Sequence, residues 1–87
     1  SRKVVPQIYA ALKASKQLMV DHTPKEVAQW AVGQLNSTED LEVEYYDIVD
    51  GLTLQTINSW SDTEYAVGCI TVYAGKVRLI DNITYKA

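Results

Sequence analysis

The sequence predicts an α+β domain: two N-terminal helices packed on a small three-stranded antiparallel sheet, with a short helical turn between strands 1 and 2. Three observations predict it. Apolar residues recur at three- and four-residue spacing as far as Leu35. From Leu41 they alternate with charged residues. A turn around Gly75 then separates two apolar runs, as in a hairpin. The 87 residues suffice for one domain and are too few for two.

Residues 4–19 read as the first helix. Val5, Ile8, Leu12, Ser15 and Met19 form one mostly apolar stripe, with Ala11 beside it and Lys13 and Lys16 away from it. Pro6 lacks an N–H and belongs in a first turn, so either the helix starts near Lys3 or an upstream part of it is missing. The second helix has a sharper start. Thr23-Pro24-Lys25-Glu26 fits a capping box, with Pro24 at the first helical position. Val27, Ala28, Ala31 and Leu35 form its inward face, Trp30 lies at the edge, and Asn36-Ser37-Thr38 end it.

Leu41, Val43 and Tyr45 alternate with Glu42 and Glu44, which predicts a half-buried strand with those apolar residues inward. The alternation blurs at Tyr46, Ile48 and Val49, as a bulge would make it. Asp50-Gly51 signals a turn. Thr53 is placed to cap one helical turn carrying Leu54 and Ile57, ended by Asn58-Ser59, with Trp60 folding back over the core edge. Tyr65 to Tyr73 is the strongest strand. Ala66, Gly68, Ile70 and Val72 share one face, and Tyr65, Val67, Cys69, Thr71 and Tyr73 share the other. After Ala74-Gly75-Lys76, Val77 to Asp81 returns as a short strand. With both helices on one side, Tyr65, Cys69 and Tyr73 are left on a far face, a surface suited to another domain.

Composition excludes several functions. Residues 1–25 carry five basic groups and one acidic, residues 26–64 carry nine acidic groups and no basic one, and the remainder carries Lys76, Arg78 and Lys86 against Asp81. The long acidic middle would repel phosphate, which argues against a nucleic-acid surface and fits a solvated face. No apolar stretch is long enough to span a bilayer, and the N-terminus has no targeting pattern. The lack of an initiator Met points to a processed or excised piece. A single cysteine, Cys69, precludes an internal disulfide and fits a reducing, cytoplasmic setting. A single histidine, His22, precludes a site with two His ligands.

The candidate chemical groups each have a plainer reading that outweighs the functional one. Cys69 lies mid-strand without an assignable base and reads as a small buried hydrophobe. His22 reads as a solvated loop residue, and Glu42 with Glu44 as a strand's polar face rather than a metal-binding pair. The four glycines are scattered and build no phosphate loop. Tyr45 and Tyr46 read as core and rim. Arg78, Asp81 and Asn82 form the densest polar cluster beside a strand, with Arg78 and Asp81 expected to fix the chain end by hydrogen bonds.

The run Arg78-Leu79-Ile80-Asp81-Asn82 resembles the C-terminal signature of the pantothenate synthetase (pantoate–β-alanine ligase) family. Gly75 and the small apolar residues from Ala66 to Ala74 fit the stretch before that signature. Glu44 to Asp50, followed by Thr53-Leu54, looks like the family's strand and the Thr-Leu step after it, and Pro6-Gln7-Ile8-Tyr9 resembles the start of its C-terminal domain. The resemblance implies that residues 1–87 are a C-terminal lid domain, without the N-terminal nucleotide-binding domain. The parent would be an ATP- and Mg2+-dependent ligase. It would condense pantoate with β-alanine through a pantoyl adenylate, releasing AMP and pyrophosphate, and would serve the coenzyme A pathway. It would form a homodimer through its N-terminal domain. The family's His-x-Gly-His and Ser-Ser-Arg-Asn motifs are absent; Ser1-Arg2-Lys3 is rejected as a match because Lys3 replaces the Asn and Pro6 follows too closely. No catalytic, cofactor-binding or metal-binding residue therefore carries over. Thr53, Leu54, Arg78, Leu79, Ile80, Asp81 and Asn82 are candidates for a structural or lid role. The fragment alone is expected to be inactive. The competing readings are a free-standing small-molecule regulatory or protein-interaction module, or a structural subunit docking through its sheet. Exposed Tyr65 and Tyr73 would favour these, and a tight homodimer would mark an interaction module.

Overall fold

A computed structural model describes residues 4–87, with side chains from residue 7 onward. Ser1-Arg2-Lys3, including the alternative helix start at Lys3, lie outside the described residues, and Val5 lies outside the described side chains. Helix α1 runs Val4–Ser15 and tightens into a 3-10 segment, Lys16–Val20, so the predicted single helix is two segments in sequence. Ile8, Leu12 and Ser15 of its stripe are buried. Helix α2, Pro24–Asn36, begins as read from the sequence. Glu26 N donates to Thr23 Oγ1 at 3.2 Å, and Thr23 N donates to Glu26 Oε1 at 2.9 Å. Two of the helix's otherwise unpartnered N-terminal donors are thus satisfied.

Strands β1 (Leu41–Asp50), β2 (Ala66–Ala74) and β3 (Val77–Lys86) form an antiparallel sheet in the order β1-β2-β3. The β2–β3 hairpin turns on Gly75 and Lys76; Gly75 has φ +63°, the sign that the first loop residue of a type II′ turn requires. β3 is twice as long as the five residues read from the sequence: pairing continues past Asp81, with Ile83 opposite Gly68. Both helices lie on one face. Leu12 and Val27 from the helices pack with Ile48, Ile70, Val72 and Ile83 from the sheet.

The Val43/Tyr45 irregularity corrects the predicted facing of β1. Val43 pairs with Val72 but Tyr45 pairs with Thr71, so Glu44 is the extra residue of a bulge. The alternation inverts there. Tyr45 turns to the far face and is 50% exposed, while Tyr46 turns toward the helices. A one-residue slip exchanges the two faces of a strand.

The helical turn between strands 1 and 2 also lies elsewhere than predicted. It is a 3-10 turn at Trp60–Asp62, capped by Ser59, whose partner in the capping box is Asp62. Asn58 and Ser59 therefore start it rather than end it. Residues 54–57 instead lie along the outer edge of β1: Asp50 N donates to Gln55 O at 2.9 Å and Ile57 N to Ile48 O at 3.1 Å. Thr53 accepts only from the nearby Gln55 N–H, at 3.3 Å. Trp60 does fold back over the core: its ring lies 5.5 Å from that of Tyr85, and its Nε1 donates to His22 O at 2.7 Å.

Two substitutions test this account. Thr23→Ala should cost about 1 kcal/mol, seen as a midpoint lowered by roughly 4–8 °C in a thermal melt. The cap's N–H bond to Glu26 holds that carboxyl's pKa below its ordinary value of 4.5, so its stabilisation is present above that range and lost on acidification through it. The difference between the parent chain and Glu26→Gln should accordingly vanish in acid. At Gly68, an added Cβ would lie 2.6 Å from both the Tyr46 hydroxyl and the Tyr85 ring. Relieving that overlap costs about 1–3 kcal/mol, more than the roughly 0.5–1 kcal/mol that Ala gains in backbone entropy. Gly68→Ala should therefore lower the midpoint of denaturant unfolding.

Candidate functional site

The run read as family-specific lies on β3 and divides between the faces of the sheet. Strand alternation sends Leu79 toward the helices, where it packs partly buried against the core, while its neighbours Arg78 and Ile80 turn to the far face. Register pairing builds the far face in rows. Arg78 stands opposite Tyr73, Ile80 opposite Thr71 with Tyr45 beyond it, and Asn82 opposite Cys69 with Asp47 beyond it. Ile80 is 71% exposed, although it is a large aliphatic residue in the middle of a ten-residue strand.

Arg78 and Asp81 do not fix the chain end by hydrogen bonds, the role expected of them. Arg78 Nε donates to Glu44 Oε2 at 3.0 Å, joining β3 to the bulge residue of β1. Asp81 accepts only from the adjacent Asn82 N–H, at 2.8 Å. Nothing local in the sequence predicted for Arg78 a partner 34 residues away. Leu54 is 70% exposed and holds φ +64°, a left-handed backbone that a Leu rarely adopts. Asp50 supports this loop, accepting from the N–H groups of Leu52 and Thr53. The structure thus does not bring Thr53 and Leu54 to the β3 cluster by any hydrogen bond among the described residues.

Of the remaining candidates, His22 and Glu42 are exposed as read from the sequence, whereas Cys69 is less buried than its reading as a buried hydrophobe expected. Cys69 is half-buried; burial first, and then the Asp47 carboxylate, push its thiol pKa up, which keeps it protonated and weakly nucleophilic. His22 is exposed and bonded to Asp21 at 2.7 Å. Glu42 is exposed, and Glu44 is committed to Arg78. Among the described residues no three His, Cys, Asp or Glu side chains are grouped to hold a metal ion.

Two features escaped sequence reasoning. An open groove of about 550 Å³ runs between α2 and the edge of β1, with Ala28 and Val32 on one side and Ile48 and Ile57 on the other. Its volume suits a small molecule, but its lining brings no convergent charge to one point. The second is a chain of hydroxyls through the core. Ser15 Oγ donates to Leu12 O, which commits its proton; Tyr85 then donates to Ser15 Oγ at 2.7 Å, and Tyr46 donates to Tyr85. Burial, followed by the mutual proximity of the two rings, pushes the Tyr46 pKa up strongly, and burial also raises that of Tyr85. Ser15 on an otherwise apolar stripe was the signal that a buried partner existed; Tyr85 lay beyond the predicted end of the last strand.

A protein-family model described as pantoate-beta-alanine ligase matches residues 1–84. The chain belongs to that family. A pantothenate synthetase from Porphyromonas gingivalis is 52% identical over 85 residues, which is 98% of this chain and 30% of the relative. One from Azobacteroides pseudotrichonymphae is 46% identical over 84 residues, 97% of this chain and again 30% of the relative. A crystal structure of pantothenate synthetase from Thermus thermophilus matches this fold with a TM-score of 0.83 at 25% identity, over 99% of this chain and 31% of that one. This pantoate–β-alanine ligase segment thus spans about 30% of the length of the relatives it matches.

In the ligase segment the hydroxyl chain and the surface ion pair should differ in their effect on stability. Tyr85→Phe leaves the Tyr46 hydroxyl without its acceptor and should cost about 1–2 kcal/mol. Arg78→Ala removes an exposed pair, half open to solvent on both sides, and should leave the unfolding midpoint almost unchanged. Urea titrations of both variants, read by tryptophan fluorescence, check the contrast.

Proposed function

We propose that this chain is the C-terminal lid domain of an ATP-dependent ligase that condenses pantoate with β-alanine, through a pantoyl adenylate, to give pantothenate, AMP and pyrophosphate. The observation that carries the reading is the reach of the family match: it follows almost all of this chain and only 30% of the relative. A nucleotide-binding N-terminal domain belongs to the remainder of such a parent, together with the catalytic groups and the surface of a homodimer.

No catalytic step is assigned to the side chains of this segment, and ATP and Mg2+ belong in this reading to the remainder of the parent. A lid contributes differently. Closing over a reactive acyl adenylate excludes water that would hydrolyse it before the amine arrives. Thr53, Leu54 and the run from Arg78 to Asn82 supply loop and strand surface for that closure, and the reaction takes place in the cytoplasm.

Exchange of domains tests the proposal. These 87 residues should replace the matching segment of the Porphyromonas gingivalis enzyme and leave a chimera that forms pantothenate from ATP, pantoate and β-alanine. The isolated chain should form none. A folded chimera without turnover, or turnover by the isolated chain, would overturn the reading.

A further inference from the structure

We infer that the far face of the sheet, around Tyr45, Thr71, Tyr73 and Ile80, is the surface this domain turns toward the rest of the ligase chain. The inference rests on the lid reading above. The opposite face of the sheet carries α1 and α2, with the open groove between α2 and the edge of β1, and residues 54–57 pair with that edge from Ile48 to Asp50. The far face has no such cover among the described residues. It nevertheless carries Ile80 at 71% exposure and Tyr45 at 50%, standing on either side of Thr71 in one row of the sheet. Two large apolar side chains held outward in that row present a rigid patch, and leaving such a patch in water forgoes the burial that a partner would supply.

The border of the patch describes its occupant. At one end the Glu44–Arg78 pair is about half exposed and retains hydrogen-bonding capacity beyond the one contact it makes. At the other end Asp47 and Asn82 flank Cys69. An apolar centre with charged and amide groups at its rim matches an interface between domains of one chain, which is more polar than an obligate subunit contact. The relatives supply such an occupant: about 70% of their length lies outside the stretch matched here. The occupant is therefore a partly apolar surface of that remaining chain, carrying polar groups to meet Arg78 and Asn82. Tyr9 on α1, 56% exposed, lies on the helix side of the sheet and serves as the control.

Cys69 lies on this face and reports its cover. In the chimera with the Porphyromonas gingivalis enzyme, held with ATP and pantoate but no β-alanine, N-ethylmaleimide should label Cys69 at least tenfold more slowly than in the isolated 87-residue chain, as read by peptide mass spectrometry. Ile80→Asp should lower kcat/KM of the chimera by at least tenfold and leave the melting midpoint of the isolated chain nearly unchanged; Tyr9→Ser should alter neither. Equal labelling of Cys69 in an active chimera would overturn the inference and leave the ligase reading standing. Labelling in the isolated chain that slows as its concentration rises would assign the face to a second copy, which also overturns it. A folded chimera that makes no pantothenate would remove the ligase reading itself.

Discussion

The buried hydroxyl chain from Tyr46 through Tyr85 and Ser15 to the Leu12 carbonyl constrains the rest of the fold. Polar groups inside a core must be partnered, because each unpaired one costs about 1–3 kcal/mol. Ser15 is fully buried on a helix stripe that is otherwise apolar; its proton goes to the Leu12 carbonyl, and its oxygen is open to a donor that reaches it from the sheet. Tyr85 does so from β3 and then needs a donor of its own, which Tyr46 provides from β1. Three elements distant in sequence are thereby held in one arrangement. Two local irregularities follow from this requirement. The Glu44 bulge turns Tyr46 inward, and Gly68, on the strand between, leaves the space that the two rings occupy.

The two sides of the sheet have correspondingly different energetics. On the helix side, stabilisation comes from close packing around Leu12, Val27 and Ile70, all nearly fully buried, with the hydroxyl chain fixing which packing is adopted. On the far side the side-chain bonds lie at the surface: Arg78 donates to Glu44, and Asp47 accepts from the Tyr45 and Thr56 hydroxyls. Exposed ion pairs of this kind add little to stability. What the pair does is orient Arg78 across the surface, so that the far face is ordered without being covered.

Much of this was legible in the sequence where the signals were local. The Thr23 capping box, the break from helical to alternating period and the Gly75 turn each involve residues a few positions apart, and each appears where it was read. The far-face positions of Cys69 and Tyr73 followed from alternation alone. Non-local features were not legible. Whether Tyr45 or Tyr46 points inward depends on a register shift that is rewarded only through a contact with Tyr85, 39 residues away. Arg78 bonds to Glu44 across the sheet, and Asp81, three positions along the same strand, faces the opposite side. The misplaced helical turn had a readable cause: Ser59 is followed three residues later by Asp62, a capping-box pattern that Thr53, followed by Thr56, lacks.

The same bulge joins the inner and outer faces. By adding one residue to β1 it sends Tyr46 into the hydroxyl chain, and the residue it adds, Glu44, binds Arg78 on the outside. A change that removed the bulge would therefore return Tyr45 to the core, expose Tyr46, strip Tyr85 of its donor and release Arg78 at once. The run from Arg78 to Asn82 is built on the same two-sided plan, since Leu79 packs toward the core while Ile80 beside it stands in solvent. In a strand this short of core on one side, a sequence signature specifies fold and surface together: alternate residues anchor the sheet to its helices and display what the opposite face offers. That accounts for a segment whose family membership is plain along nearly its whole length although no three His, Cys, Asp or Glu side chains among its described residues are grouped to hold a metal ion.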